Sequence, residues 1–171
     1  MRRRFSIDED APVNVHDTLT VFAQISVAFT GFGGLAGLLA QRLRGNEAAL
    51  AAVRLRAVIE WALVVVAFSL LPLVIVEIAP PGPAAWRMAS IALALAALAH
   101  RLWARLKLRG LPWGSRAYRI FTYVWLLGTA AVLLANGAGL FGPADAVYLC
   151  GLLAYLLFAM LLFARLLQSL I

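Results

Sequence analysis

Five apolar stretches alternate with short polar segments along this chain. The first stretch begins near Thr18 and reaches Ala40 without a charged side chain. A helix of that length rises by about 33 Å, which is enough to cross a bilayer core of about 30 Å. The pattern therefore predicts an all-α, polytopic transmembrane helix bundle. The predicted spans cover residues 18–40, 57–79, 84–103, 118–140 and 145–167.

The five spans form one predicted transmembrane domain over residues 18–168, after a polar N-terminal tail at 1–17. The third span is the least apolar, because its uncharged core runs only from Met88 to Ala99. It crosses if Arg87 and Arg101 extend their side chains toward opposite interfaces. The count falls to four spans if the first or the third does not cross.

Charge predicts the orientation of the spans. Loops rich in arginine and lysine stay in the cytoplasm, and the connections 41–56 and 100–119 hold most of the basic residues. This places the N-terminus outside and the C-terminus inside, although the tail itself begins with three arginines. We expect the basic inner face to contact anionic lipid headgroups. It comprises Arg42, Arg44, Arg54, Arg56, Arg101, Arg105, Lys107 and Arg109.

Composition agrees with the hydropathy pattern. Hydrophobic residues make up 64% of the chain and charged residues 13%, and the mean hydropathy is +0.90, which is typical of a membrane protein. Lys107 is the only lysine among 15 basic residues, a bias that suggests a bacterial genome and hence the bacterial inner membrane. The net charge of +7 is then explained by topology, so no nucleic acid partner is expected. Cys150 is the sole cysteine, which excludes an intrachain disulfide.

The first span contains the segment SVAFTGFGGLAGLLA, which is unusually rich in small residues. Its run TGFGG is one residue short of the spacing of a potassium-channel filter, and the apolar stretch continues straight through it. Small residues at helical spacing let another helix approach closely, or else line a pore. The small face comprises Ala23, Ser26, Thr30, Gly33, Gly37 and Ala40. Span three carries a similar row of alanines, which suggests that the two spans pack on each other or meet across a subunit interface.

Polar residues inside the spans are the candidates for function, because an unpaired polar group in hydrocarbon is costly. They are Gln24, Glu60, Ser69, Glu77, Thr129 and Asn136. Glu60 is one helical turn from Arg56 and is expected to pair with it, or to meet His100 or Arg101. Glu77 is expected to pair with Arg87 across the PPGP turn.

Hydroxyl and amide groups of span four recur every seven residues, at Thr122, Thr129 and Asn136. Such a row predicts hydrogen bonds between helices, or otherwise the lining of a wet cavity. Gln24 is interpreted in the same way. Three acids, Asp17, Glu77 and Asp145, fall at the predicted outer ends of helices. They form either an acidic outer mouth that attracts cations or a plainly solvated rim.

No catalytic, metal-binding or nucleotide-binding motif is present in the sequence, so neither an enzyme nor a cofactor is expected. The spacing of RLRAVIEW and SLLPL after a glycine-rich first span resembles small multi-span bacterial inner-membrane proteins of unassigned function. That resemblance covers spans one and two and implies no activity. The function favoured by the sequence is a homo-oligomeric pore for small ions. The alternative is a non-conducting accessory or scaffold subunit that binds another membrane protein, and an intramembrane enzyme is the least supported.

Overall fold

In the computed structural model, five α-helices form a bundle, and the structure describes residues 14–40, 45–78, 82–107 and 116–168. No strand occurs in those ranges. Each helix contains a stretch long and apolar enough to cross a membrane. The predicted all-α, five-span architecture is therefore confirmed, and the chain is a multi-pass membrane protein. The helices are α1 (Val15–Ala40), α2 (Gly45–Ile78), α3 (Pro83–Lys107), α4 (Arg116–Gly137) and α5 (Ala144–Gln168).

The bundle has two chemically different ends. The last turns of α1, α3 and α5 lie beside the first turns of α2 and α4, at an end rich in arginine. We call this the basic end. At the opposite end, which we call the acidic end, Asp17 and Asp145 lie in the first turns of α1 and α5, and Glu77 lies in the last turn of α2.

Helix ends differ from the predicted spans for identifiable local reasons. α1 begins at Val15 rather than near Thr18, because the Asn14 side chain accepts a hydrogen bond from the backbone N–H of His16 (3.0 Å) and caps the helix. α4 ends at Gly137 rather than at Leu140. There Gly139 adopts φ of 81°, and the N–H of Leu140 reaches back to the carbonyl of Ala135 (3.1 Å). This is the glycine-terminated helix end known as a Schellman motif.

The core lies between α2, α3, α4 and α5. Trp61 of α2 stacks on Tyr155 of α5 with ring centroids 5.2 Å apart, and the Tyr148 hydroxyl donates a hydrogen bond to the Phe68 carbonyl of α2. Both tyrosines are fully buried. Leu133 of α4 packs directly against Gly151 of α5. These contacts fill the interior of the four-helix group with side chains.

α1 lies at the margin of the bundle and packs mainly on α2, with further contacts to α5. Across the described helices it makes no contact with α3, so the expected pairing of the two small-residue spans within one chain is wrong. The alanine row of α3 is used elsewhere. Ala85 and Ala89 are buried, and α3 packs on α4, α5 and α2. The physical reason is connectivity, because the short connection after α1 brings α2 alongside it first.

Candidate functional site

The small-residue face predicted on α1 is turned into the bundle. A Cβ atom added to Gly33 would lie 3.5 Å from Cγ1 of Ile59, and one added to Gly37 would lie 2.7 Å from Cδ2 of Leu55. Ser26 on the same face is buried. The two glycines therefore let α1 approach α2 closely, and this face is covered by protein. Of the remaining predicted members, Ala23 and Thr30 are half-buried and Ala40 is the last residue of α1.

A second face of α1 points away from the bundle. Asp17, Gln24, Gly31 and Leu38 follow one another every seven residues, and Thr20, Val27 and Gly34 each lie three residues after one of them. All seven residues are exposed. We call them the outward face of α1. Positions spaced by three and four residues form the seam along which two helices cross at a shallow angle.

The middle of the outward face is open and shallow. A Cβ atom added to Gly31 or Gly34 would meet nothing within 4 Å. In membranes, such glycines mark surfaces where two helix backbones come close enough for extensive van der Waals contact. The sequence already contained this signal as a seven-residue repeat. It was obscured because another face of the same helix, about 120° away, is also lined with small residues.

Gln24 is the chemically important member of the outward face. It lies about 14 Å along the axis from the start of α1, at a depth where lipid tails surround the helix. Its side chain is exposed and makes no hydrogen bond to any described residue, which differs from the interhelical bond expected of it. A primary amide in hydrocarbon has two donor hydrogens and a carbonyl oxygen to satisfy. The described residues of the chain leave that requirement unmet.

Two of the other predicted intramembrane polar residues, Glu60 and Ser69, have partners inside the chain. Glu60 accepts a hydrogen bond from Nε of Arg56 (2.6 Å), and its second oxygen lies 3.6 Å from Nε2 of His100. Glu60 thus meets Arg56 and His100, two of the three partners considered for it, and it links α2 to α3. Ser69 is buried and donates to the Val65 carbonyl of its own helix (2.8 Å).

The polar side chains of α4 form two kinds of hydrogen bond, within the helix and to other helices. Thr122 and Thr129 donate to carbonyls one turn earlier in the same helix, at 2.9 and 2.8 Å, so the interhelical bonds expected of them are not formed. Asn136 does cross between helices. Its Nδ2 donates to Oγ of Ser90 on α3 and to the Ala144 carbonyl of α5, each at 2.8 Å. A threonine hydroxyl is short enough to bond its own helix, whereas an asparagine amide extends past it.

The acidic end is solvated rather than paired. Glu77 is exposed and forms no ion pair with Arg87, so the pairing expected across the PPGP turn is wrong. The Arg87 guanidinium instead lies against Gly139, beside the C-terminal end of α4, where the helix dipole favours a cation. Asp17 is exposed and Asp145 half-exposed, and no described contact joins the three acids.

Five of the eight residues predicted for the basic inner face lie in the described part of the chain. Arg54 and Arg101 are half-buried, Arg56 and Arg105 are exposed, and Lys107 is the last residue of α3. Arg42, Arg44 and Arg109 lie outside the described residues. The sequence did not single out the aromatic partners of this end. Arg56 lies over the ring of Trp103, Arg101 over Tyr123 and Arg165 over Tyr118.

Comparison with known proteins finds no matching family model, curated protein or solved structure. The class of this protein is defined by its fold alone, as a multi-pass helical membrane protein with a closed four-helix core and a marginal first helix. Its outward face carries the exposed amide of Gln24, and its basic end carries stacked arginines. These two surfaces are the candidates for function.

Proposed function

We propose that this chain is a subunit of a homo-oligomeric protein of the bacterial inner membrane, and that small ions pass between the subunits. The observation that carries the proposal is the amide of Gln24 on the outward face of α1, which is exposed and has no hydrogen-bond partner among the described residues. Two amides facing each other satisfy each other's donors and acceptors. The Gln24 amide of a second copy would therefore supply the hydrogen-bond donors and acceptor that this amide needs. Each such interhelical hydrogen bond in a membrane contributes on the order of 1 kcal/mol.

The rest of the outward face supports close association. Gly31 and Gly34 offer no side chain to hold a neighbour away, and the spacing suits a left-handed crossing between copies. The burial of Gly33 and Gly37 against α2 matters here as well, because it leaves α1 anchored while its other side stays available. Self-association therefore uses a face of α1 other than the small-residue face predicted from the sequence.

We place the proposed ion path between subunits rather than through the core of one subunit. The four-helix core is filled by large side chains such as Tyr148, Tyr155 and Leu133, and buried polar side chains are few in the described residues. In a ring of copies, by contrast, the acidic-end half of the outward face would present Asp17, Thr20 and Gln24 to the axis. The other half would present glycines and Leu38, an apolar constriction of the kind that gates by excluding water.

The proposed orientation follows from charge. The basic connections predict that the basic end faces the cytoplasm, so the acidic end faces outward. Asp17 would then lie at the outer entrance of the path and raise the local concentration of cations.

A second candidate function is a non-conducting scaffold or accessory subunit. The closed core favours it, because no continuous polar path crosses the described part of one chain. In that case the outward face would bind a helix of a different membrane protein, and Gln24 would pair with a polar group on that helix.

Cross-linking tests the association. In a Cys150→Ser background, Val27→Cys on the outward face should form disulfide-linked dimers in membranes, whereas Leu95→Cys, exposed on α3, should not. Gly31→Leu with Gly34→Leu should abolish the cross-link because the added side chains separate the helices. Gly128→Leu is the matched control, since Gly128 on α4 also faces open space.

Ion flux then separates the two candidates. Purified wild-type protein in liposomes should pass small ions, and the Gly31→Leu, Gly34→Leu variant should lose that flux. A cross-linked oligomer that passes no ions would contradict the pore function and support the scaffold function. A monomer in mild detergent, with no Val27→Cys cross-link in membranes, would contradict the homo-oligomer.

A further inference from the structure

Three arginines of the basic end lie over aromatic rings. The Arg56 guanidinium lies 4.8 Å from the ring centre of Trp103, that of Arg101 lies 4.3 Å from Tyr123, and that of Arg165 lies 3.7 Å from Tyr118. These contacts join α2 to α3, α3 to α4, and α5 to α4. All are within the range of a favourable cation–π contact.

The three arginines differ in whether their charge is balanced. Glu60 is the only acid at the basic end among the side chains that the structure describes, and it is engaged by Arg56 and His100. Arg101 and Arg165 take part in no ion pair within the described residues. In addition, Nε of Arg101 is buried and has no hydrogen-bond partner among the described residues. Two guanidinium groups at the basic end therefore have no counter-charge among the described side chains.

Stacking fixes these two groups in a geometry suited to phosphate. A guanidinium carries five N–H donors, and contact between its carbon and a ring does not use them. In Arg101 the Nε donor is buried, which leaves the donors of the two Nη atoms. Those donors match the oxygens of a phosphate in a bidentate arrangement. Tyr118 lies in the first turn of α4 and Tyr123 five residues later, so Arg165 and Arg101 contact the N-terminal part of that helix from the α5 side and the α3 side. The helix dipole adds positive potential beside Tyr118.

We propose that the Arg101–Tyr123 and Arg165–Tyr118 pairs bind the phosphate groups of anionic phospholipids in the leaflet at the basic end. The headgroup phosphate supplies the missing counter-charge, and the tyrosine rings hold each guanidinium ready to receive it. This site is distinct from the outward face of α1 and does not depend on the oligomer or on ion flux.

Lipid binding to the full-length chain tests the proposal. Native mass spectrometry of the detergent-purified protein, titrated with phosphatidylglycerol or phosphatidylcholine, gives an apparent affinity for each lipid. The wild type should retain phosphatidylglycerol in preference. Arg101→Gln with Arg165→Gln should weaken that binding by about tenfold or more, the loss expected for charge-assisted hydrogen bonds.

The matched control removes the same charge elsewhere at the basic end. Arg116 and Arg119 lie on no described ring and are not among the basic residues expected at the headgroups, so Arg116→Gln with Arg119→Gln should change the affinity by no more than about twofold, since surface charges without a fixed geometry contribute little. An equal loss in both double variants would overturn the proposal in favour of diffuse surface charge. Displacement of the lipid by millimolar inorganic phosphate would overturn the assignment to a lipid headgroup.

A charge-conserving variant covers the possibility that glutamine substitution prevents folding. Arg101→Lys with Arg165→Lys keeps both charges but loses the planar donors and the stacking. The proposal requires that this variant also bind phosphatidylglycerol more weakly than the wild type. Unchanged binding would show that charge alone suffices and would overturn it.

Discussion

Single residues of this protein are distinguished by whether their polar atoms find a partner inside the bundle. Tyr148 and Tyr155 illustrate the difference. Both lie on α5, both are fully buried, and they are two turns apart. The Tyr148 hydroxyl donates to the Phe68 carbonyl of α2, whereas the Tyr155 hydroxyl is buried with no partner among the described residues. The same chemical group should therefore stabilise the fold at one position and not at the other.

Replacing each tyrosine by phenylalanine should separate these cases. Tyr148→Phe removes a buried hydrogen bond and leaves the Phe68 carbonyl with one bond fewer, so it should lower the free energy of unfolding by about 1 kcal/mol. Tyr155→Phe removes only an unpartnered hydroxyl and should leave stability unchanged or slightly raised. Reversible unfolding in mixed micelles or bicelles measures both. A larger loss for Tyr155→Phe than for Tyr148→Phe would contradict the hydrogen-bond assignment.

At the scale of helices, small residues decide which elements approach closely. Gly151 of α5 faces Leu133 of α4, and an added Cβ would lie 2.6 Å from Cδ2 of that leucine and 3.0 Å from its Cγ. Leu133 is fully buried and has little room to move. The contact between α4 and α5 therefore requires glycine at this position, in contrast to the glycines of α1 that face outward.

Gly151→Ala should accordingly weaken the bundle. The forced overlap should lower the free energy of unfolding by about 1–2 kcal/mol, even though alanine is the better helix former. Gly128→Ala on α4 is the matched control, because nothing lies within 4 Å of its added Cβ. That substitution should be neutral or stabilising by up to about 1 kcal/mol in the same unfolding assay. Equal effects of the two changes would mean that the helices do not approach as closely as described.

At the scale of the whole molecule, five spans place the basic and acidic ends on opposite sides of the membrane. The charge difference between the ends then sets the direction of insertion. Arg105, near the end of α3, and Gly142, in the turn between α4 and α5, are exposed positions at the two ends. They allow the number of spans and the orientation to be tested separately.

Labelling of introduced cysteines provides that test. In a Cys150→Ser background, a membrane-impermeant thiol reagent should label Gly142→Cys in intact spheroplasts and Arg105→Cys only after permeabilisation. Labelling of both from the same side would contradict the alternation of spans. Labelling of Arg105→Cys alone in intact spheroplasts would keep the five spans but reverse the proposed orientation.

The sequence determined the architecture of this protein. Long uncharged stretches fixed the number of helices, because backbone groups inside a bilayer must be bonded within a helix. Local chemistry determined the pairing of Glu60 with Arg56, since residues four apart on a helix are neighbours whatever the fold. The ends of helices were less certain, because Asn14 and Gly139 extend or shorten a helix by cap geometry that hydropathy does not register.

Only the tertiary structure decided which face of each helix is inside. α1 carries small residues on two of its faces. Spacing alone favoured the small-residue face that packs on Leu55 and Ile59 in the structure. Contacts between residues far apart in sequence, such as Asn136 with Ser90 or Arg165 with Tyr118, likewise depend on which helices become neighbours. In a membrane, apolar surface faces lipid or protein at similar cost, so hydropathy carries little information about the buried side. Packing decided it, and it left Gln24, Arg101 and Arg165 without a hydrogen-bonded or ionic side-chain partner among the described residues.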